Sequence, residues 1–145
     1  MITVHVSGVK ELQSKLNRIQ RGIRNPGRPL KESEDILNRE VNTNWGKEGG
    51  LFGGWKPLAA STVRDRERLG FPGRRPILQR TGKLKESTRS GIQGNILTIE
   101  NTDEKFKYHQ KGTKRIPQRK ILSLRRESVN AITRKFISWI SDILK

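Results

Sequence analysis

The segment of the chain best suited to chemistry runs from Glu104 to Glu127 and reads EKFKYHQKGTKRIPQRKILSLRRE. Between these two glutamates lie nine Lys or Arg residues, no acid, and His109, which is one of two histidines in the chain. An imidazole among cations suits a small metal-independent nuclease, in which it would act as the base while Lys and Arg stabilise the transition state. The segment could equally be a nucleic-acid-binding strip or a basic structural element.

The residues around His109 argue against catalysis. No acid lies between Lys105 and Arg126 to complete a catalytic triad or a metal site. The chain also has no cysteine, which excludes thiol nucleophiles, disulfides and Cys-based zinc sites. We therefore predict that the protein is not an enzyme and needs no cofactor or metal. The alternatives are a basic nucleic-acid-binding protein and a small metal-independent nuclease that uses His109.

Length, composition and charge favour a single basic domain that works in an assembly. The 145 residues suit one domain, residues 1–145. The hydrophobic content of 31% is low beside the about 45–50%, counting glycine, that is usual for globular proteins, which favours stabilisation by assembly. The formal charge of +17 indicates a polyanionic or acidic partner. No secretory leader or membrane-spanning stretch is evident, so we expect no membrane association.

The cations include two blocks free of acids, one from Arg74 to Lys85 and one around His109. Contacts between such residues and phosphates would give DNA affinity that is blind to sequence and sensitive to salt. A basic face paired with an acidic neighbouring protein would explain the pattern as well. The candidate DNA-facing residues are Arg74, Arg75, Lys111, Lys114 and Arg115.

Apolar periodicity predicts the elements that position these residues. The alternation in ITVHV predicts a strand from Ile2 to Val6, and apolar spacings of three and four residues predict a helix from Val9 to Ile23. After the break RNPGRP, a second helix is expected to start near Leu30, with Leu37, Val41 and Trp45 as its core stripe, and to form an antiparallel hairpin with the first.

Later in the chain, a strand is predicted from about Asn95 to Glu100, with Ile92 as a candidate extension, and the strongest amphipathic pattern predicts a helix over residues 127–144. The fold class is therefore α+β: a small antiparallel sheet packed with the N-terminal helix pair and a C-terminal amphipathic helix. The last helix is expected to pack on the sheet or on the helix pair.

A Gly-rich loop spans residues 46–54, with five glycines in nine residues. We expect it to be mobile and without regular structure, because glycine loses the most backbone entropy on ordering. Leu51 and Phe52 would then be apolar contacts for a partner. After the turn around Pro57, Ser61 or Thr62 is predicted to cap a short helix that ends near Leu69.

Short motifs follow one another in a recognisable order from residue 55 onward. They are Trp55-Lys56-Pro57-Leu58, Thr62 with VRDRERLG, Ile77-Leu78, Thr81-Gly82-Lys83-Leu84, NILTIEN, His109-Gln110-Lys111-Gly112, Pro117-Gln118-Arg119 with Ile121-Leu122, and the amphipathic helix over residues 127–144. This order resembles the phage virion morphogenesis family, the tail-completion proteins of Mu-like phages and prophages.

The resemblance implies a non-enzymatic virion protein that completes the tail or joins it to the head as a homo-oligomeric ring, with six subunits as the expected number. Its partners would be other tail and neck proteins, with non-specific contact to packaged DNA as a further option. Its location would be the virion, and the host cytoplasm during assembly. The implied structural or interface residues are Leu51, Phe52, Trp55, Pro57, Leu58, Thr81, Gly82, Leu84, His109, Gln110, Gly112, Pro117 and Arg119.

Within this set, three local roles are expected. Thr81 and Gly82 would form a turn that needs a small residue. The motif from His109 to Gly112 would form a hydrogen-bonded turn. Pro117 and Arg119 would direct the chain into the last strand or helix.

Overall fold

The computed structural model describes residues 8–145 and has the predicted α+β architecture. The predicted strand from Ile2 to Val6 lies outside the described residues. In chain order the elements are α1 (Val9–Ile23), α2 (Gly27–Gly46), a short 3-10 helix (Gly50–Phe52), α3 (Ala60–Arg68), α4 (Lys83–Glu86), β1 (Thr88–Gln93), β2 (Ile96–Asn101), α5 (Phe106–Lys111) and α6 (Arg126–Leu144).

The three long helices follow the apolar stripes, but α1 does not fold back along α2 as predicted. Helix α6 packs on both α2 and α1, and α1 bends away from α2 to lie against α6. Gly22 allows this approach, because a side chain there would meet Ile143. Helix α2 also begins earlier than expected, at Gly27. Pro29 fits in its first turn, where the backbone N–H has no intrahelical partner to lose.

The sheet is one antiparallel hairpin, β1–β2, in which Thr88 pairs with Asn101 and Gln93 with Ile96. The expected extension of the second strand by Ile92 is wrong, since Ile92 lies on β1 opposite Leu97. The chain reverses between the two strands at Gly94, whose φ of 57° is left-handed and therefore favours glycine.

The core forms where α2, the Trp55 turn and the segment after α5 meet. Its buried apolar residues are Leu30, Leu37, Val41, Trp45, Trp55, Ile77, Leu84 and Ile121. Trp45 and Trp55 pack edge to face with ring centroids 5.1 Å apart, a geometry that aromatic quadrupoles prefer. The predicted core stripe of α2 is thus confirmed.

Helix α6 receives its N-terminal support from another helix. The carboxylate of Glu40, in α2, is 4% exposed and accepts a hydrogen bond from the backbone N–H of Arg125, the residue before α6, at 2.7 Å. It also accepts hydrogen bonds from the hydroxyl of Ser128 and the guanidinium of Arg125. Glu40 therefore ties α2 to the beginning of α6, where a negative charge is favourable.

The Gly-rich loop contains regular structure, contrary to the prediction. Its 3-10 helix is enclosed by backbone hydrogen bonds in which Gly54 donates to Gly49 and Trp55 donates to Glu48. Gly49 has a φ of +81° and lies against the indole of Trp55, so a side chain at this position has no space. The glycines of this loop thus allow a tight turn.

The start of α3 also differs from the prediction. Ala59 is the N-cap residue, and no side chain caps the helix. Ser61 and Thr62 lie inside the first turn instead, and the helix ends at Arg68.

Candidate functional site

Three of the sequence motifs meet in one place, which we call the motif junction: residues 55–58, 109–112 and 117–122. Arg119 is its centre and is 4% exposed. Its guanidinium donates from Nε to the carbonyl of Lys56 and from Nη2 to the carbonyl of Pro57, both at 3.0 Å. Its backbone N–H donates to the carbonyl of His109 at 2.7 Å. One residue therefore joins all three segments.

Gln110 fixes the other side of the motif junction. Its Oε1 accepts hydrogen bonds from the backbone N–H groups of Ile121 (2.8 Å) and Leu122 (3.0 Å). Its Nε2 donates to the carbonyl of Leu122 at 2.7 Å. The amide side chain thus pairs with the main chain as a neighbouring β-strand would, and it holds an irregular segment that has no backbone partner there.

Asn44 of α2 and Trp55 complete the motif junction. Asn44 Nδ2 donates to the carbonyls of Lys120 (2.9 Å) and Ile121 (3.0 Å), and Trp55 Nε1 donates to that of Lys120 at 3.0 Å. Buried carbonyls without partners are costly, so these donors allow residues 120–121 to cross the core without regular structure. Asn44 is not among the residues predicted from the sequence.

The motif around His109 is a helix and not the predicted turn. His109 and Gln110 lie in α5, and Gly112 ends that helix with a φ of 74°. A side chain at Gly112 would collide with the backbone of Gln118, so only glycine fits this approach. Pro117 is half-buried between this point and Arg119.

His109 lies in a cationic, half-buried environment. Burial lowers its pKa, Arg119 and Lys105 lower it further, and Asp103 acts in the opposite direction. The net effect is a pKa below the ordinary value of 6.5. The imidazole is therefore neutral at physiological pH. Its Nδ1 is buried and has no hydrogen-bond partner among the described residues.

The remaining candidates occupy distinct positions. Gly82 has a φ of 79° and precedes α4, which places Leu84 in the core. Thr81 lines a small cavity with His109. Leu51 and Phe52 are half-buried, so part of the apolar surface that was expected to need a partner is covered within this chain.

The candidate DNA-facing residues divide into two groups. Arg74 and Arg75 line an open cavity of about 560 Å³, and Arg75 pairs with Glu48, which also accepts the N–H of Ile77 at 2.8 Å. The charge of Arg75 is therefore compensated.

Lys111, Lys114 and Arg115 are exposed, and within residues 8–145 they form no ion pair. Thr113 orders the turn that carries two of them, because its hydroxyl accepts the N–H groups of Arg115 (3.2 Å) and Ile116 (3.0 Å). We call these three exposed cations the basic turn. In sequence they lie within or between two segments of the motif junction, residues 109–112 and 117–122.

No protein-family model, curated protein or solved structure matches the chain. The similarity to phage morphogenesis proteins therefore stays a prediction from the order of motifs. Between residues 8 and 145, no three potential ligand side chains are grouped as a metal site would need. None of the helices in the same range is long and apolar enough to cross a lipid bilayer.

Proposed function

We propose that the protein is a non-enzymatic structural component of a phage virion, which completes the tail or joins it to the head as a homo-oligomeric ring. The order of the motifs supports this proposal. The hydrogen bonds of the motif side chains support it as well. Gln110 and Arg119 bond through their side chains to the main chain of the same subunit. Residues engaged in this way support a rigid subunit and are not free to act on a substrate.

The observation that carries the oligomer is an exposed apolar face along α1. Val9, Leu12, Leu16 and Ile23 are 50–58% exposed, and α1 buries no residue of its own. An isolated helix of 15 residues is marginal in water, so most helical stability must come from packing. Large exposed apolar patches typically mark contact sites. A second copy of this chain is the partner that a ring requires.

Helix α6, which packs on α1, carries exposed apolar residues as well. Ile137, Ile140 and Leu144 are at least 42% exposed although the neighbouring Phe136 and Ile143 are half-buried. We call the exposed apolar residues of the two helices the α1–α6 apolar face. In a ring, contacts run head to tail, so this face meets a different surface of the next copy. We assign that surface to the 3-10 helix of the Gly-rich loop with its half-buried Leu51 and Phe52.

The test of the ring is the double variant Leu12→Glu/Leu16→Glu. Burying the exposed part of both leucines would contribute about 2–3 kcal/mol per interface, so their loss should raise the dissociation constant by about 30- to 150-fold. Sedimentation and native mass spectrometry should show an oligomer for the wild type and a folded monomer for the variant. Circular dichroism should be unchanged, because neither leucine is buried in the subunit.

The matched control is Ser14→Glu/Asn17→Glu, which adds the same charge to the opposite face of α1 by its 3.6-residue repeat. It should leave the oligomer intact. A wild type that is monomeric at high concentration refutes the ring. Absence of the protein from purified particles of the phage or prophage that encodes it refutes the virion role, and mass spectrometry of such particles is the assay.

The basic turn favours a second candidate function, non-specific contact with DNA. Its three cations are exposed and uncompensated within the described residues. Neutralising all three should reduce the slope of log affinity against log salt by about 2.7 for duplex DNA. If the wild type does not bind DNA at low salt, the surface instead faces an acidic protein neighbour.

A further inference from the structure

A small cavity beside His109 combines buried, unpartnered nitrogen atoms with a strong positive charge. It has a volume of about 290 Å³ and lies between α3, the α4 turn and the start of α5. Pockets for drug-sized ligands usually have about 300–1,000 Å³, so this one suits a single small group. Its ionisable lining residues are Arg66, Arg80, Lys83, Asp103, Lys105 and His109.

Arg66 is the unusual member of this lining. It is 3% exposed, and within residues 8–145 its side chain makes one hydrogen bond, from Nη1 to the carbonyl of Pro76 at 3.1 Å. In the same range its Nε and Nη2 are buried without a partner, as is Nδ1 of His109. A buried donor without an acceptor is costly, and a charged one more so. Both residues line the cavity, so an acceptor ligand that reached these nitrogen atoms would satisfy them.

The charge balance selects an anion. Four of the lining residues carry fixed positive charge, and Asp103 is the one acid among them. Asp103 is already engaged, since its Oδ1 accepts the backbone N–H of Lys105 at 2.8 Å. Asp65 lies 3.6 Å from Arg80, but both side chains are more than 40% exposed, so this contact offsets little of the positive charge.

We propose that this cavity binds a phosphate group. Arginine presents several donors in a planar fork that matches phosphate oxygens, and it is the preferred residue for such recognition. The donors approach from separate walls, with Arg66 on α3, Lys83 on α4 and His109 on α5. A tetrahedral oxyanion can face all three walls, whereas the two oxygens of a carboxylate lie in one plane. The hydroxyls of Thr62 and Thr81, which also line the cavity, supply further donors.

Access requires a side-chain movement. The unpartnered nitrogens of Arg66 have almost no exposed surface, whereas Arg80, Lys83 and Lys105 are exposed residues of the same lining. The phosphate therefore enters by displacing one of these flexible side chains, which then closes over it. The group can come from free phosphate or from the backbone of DNA, and the two sources are distinguished below.

The test uses the ring of His109 as a reporter in nuclear magnetic resonance. Inorganic phosphate is titrated against the full-length protein at constant ionic strength, and the resonances are assigned by comparison with His109→Gln. We expect a saturable shift and a rise in the pKa of His109, because a bound anion stabilises the imidazolium. Unchanged His109 resonances at saturating phosphate overturn the proposal.

The variants replace exposed lining residues, because replacing buried Arg66 would also disturb folding. Lys83→Met/Lys105→Met should weaken phosphate binding by about tenfold or more, since each charge-assisted hydrogen bond contributes about 1.5–3 kcal/mol. The control Lys85→Met/Lys107→Met removes the same charge from neighbouring exposed positions outside the cavity and should change binding by less than about twofold. Equal losses in both variants overturn the proposal in favour of a diffuse charge effect.

A short DNA duplex separates the two sources. If the duplex shifts the His109 resonances and inorganic phosphate competes with it, the cavity receives a backbone phosphate. If only inorganic phosphate causes the shift, the ligand is a free phosphate group. Both results support the cavity, and neither depends on the oligomeric state, so the site and the ring can fail independently.

Discussion

Replacing Glu40 by Gln tests whether one buried carboxylate holds the two central helices together. The side chain accepts hydrogen bonds from the Arg125 backbone N–H and the Ser128 hydroxyl, both fixed at the beginning of α6. The Arg125 guanidinium also contacts it, but this group is 42% exposed, so we count its contribution as near zero. Hydrogen bonds to charged groups contribute about 1.5–3 kcal/mol each, and glutamine keeps one acceptor oxygen. We therefore expect a loss of about 2–4 kcal/mol in the free energy of unfolding.

The effect should depend on pH with a defined sign. Burial alone would raise the pKa of Glu40, but the hydrogen bonds from Ser128 and Arg125 outweigh it and hold the pKa below its ordinary value of 4.5. The unfolded chain therefore takes up a proton first as the pH falls. The stabilisation is complete above pH 4.5 and is lost as the pH falls through the lower pKa of the folded state.

Urea denaturation followed by tryptophan fluorescence measures this loss, since Trp45 and Trp55 are buried in the folded protein. In thermal unfolding at neutral pH, the melting temperature of Glu40→Gln should be about 5–12 °C below that of the wild type. This difference in stability between the two proteins should shrink at acid pH. The control is Glu127→Gln, which replaces an exposed acid in the first turn of α6. A difference from the wild type that is independent of pH, or no larger than that of the control, would refute the reasoning.

The two remaining predictions concern single residues with matched controls. Gly49→Ala should destabilise the protein by more than about 3 kcal/mol, because the new Cβ would collide with the indole of Trp55 and alanine would have to adopt a left-handed φ. In Gly53→Ala the Cβ meets open space, so only the left-handed φ remains and the cost should be about 1–2 kcal/mol. Gln110→Ala should cost about 2–4 kcal/mol because buried main-chain groups lose their partners, whereas Gln118→Ala, which removes one exposed contact, should cost less than about 1 kcal/mol. Urea denaturation measures both pairs, and equal effects within a pair would contradict the corresponding argument.

The long helices could be predicted because their apolar spacing is regular over many residues. Periodicity alone predicted helix α6, and in α2 it also predicted the packed face, since Leu37, Val41 and Trp45 are buried. The strand β1 has no such signal: its sequence TRSGIQ contains one large apolar residue, Ile92, and its pairing with β2 is set by the hairpin turn. The direction of α1 depends on one close approach to α6, which no local pattern encodes.

The candidate site was predictable in its members but not in its bonding. Gln110, Gly112 and Arg119 were identified from motif order, yet their roles depend on main-chain groups that are distant in sequence. Glu40 and Asn44 were not predicted, because a polar residue is expected to be exposed unless its position in the helix indicates burial. Their four-residue spacing beside Val41 places them on the buried face of α2, which is the signal that could have found them.

In the proposed ring, the residues that stabilise the subunit are separate from those that join one subunit to the next. The motif residues face inward, so Gln110→Ala should lower the free energy of unfolding and alter the oligomer only through that loss. The leucines of α1 face outward, so Leu12→Glu/Leu16→Glu should dissociate the oligomer while the subunit stays folded. If the motif residues were themselves the contact surface, the two variants would behave alike. Measuring the free energy of unfolding and the mass of the oligomer for each variant therefore decides whether the sequence motifs stabilise the subunit or form the interface.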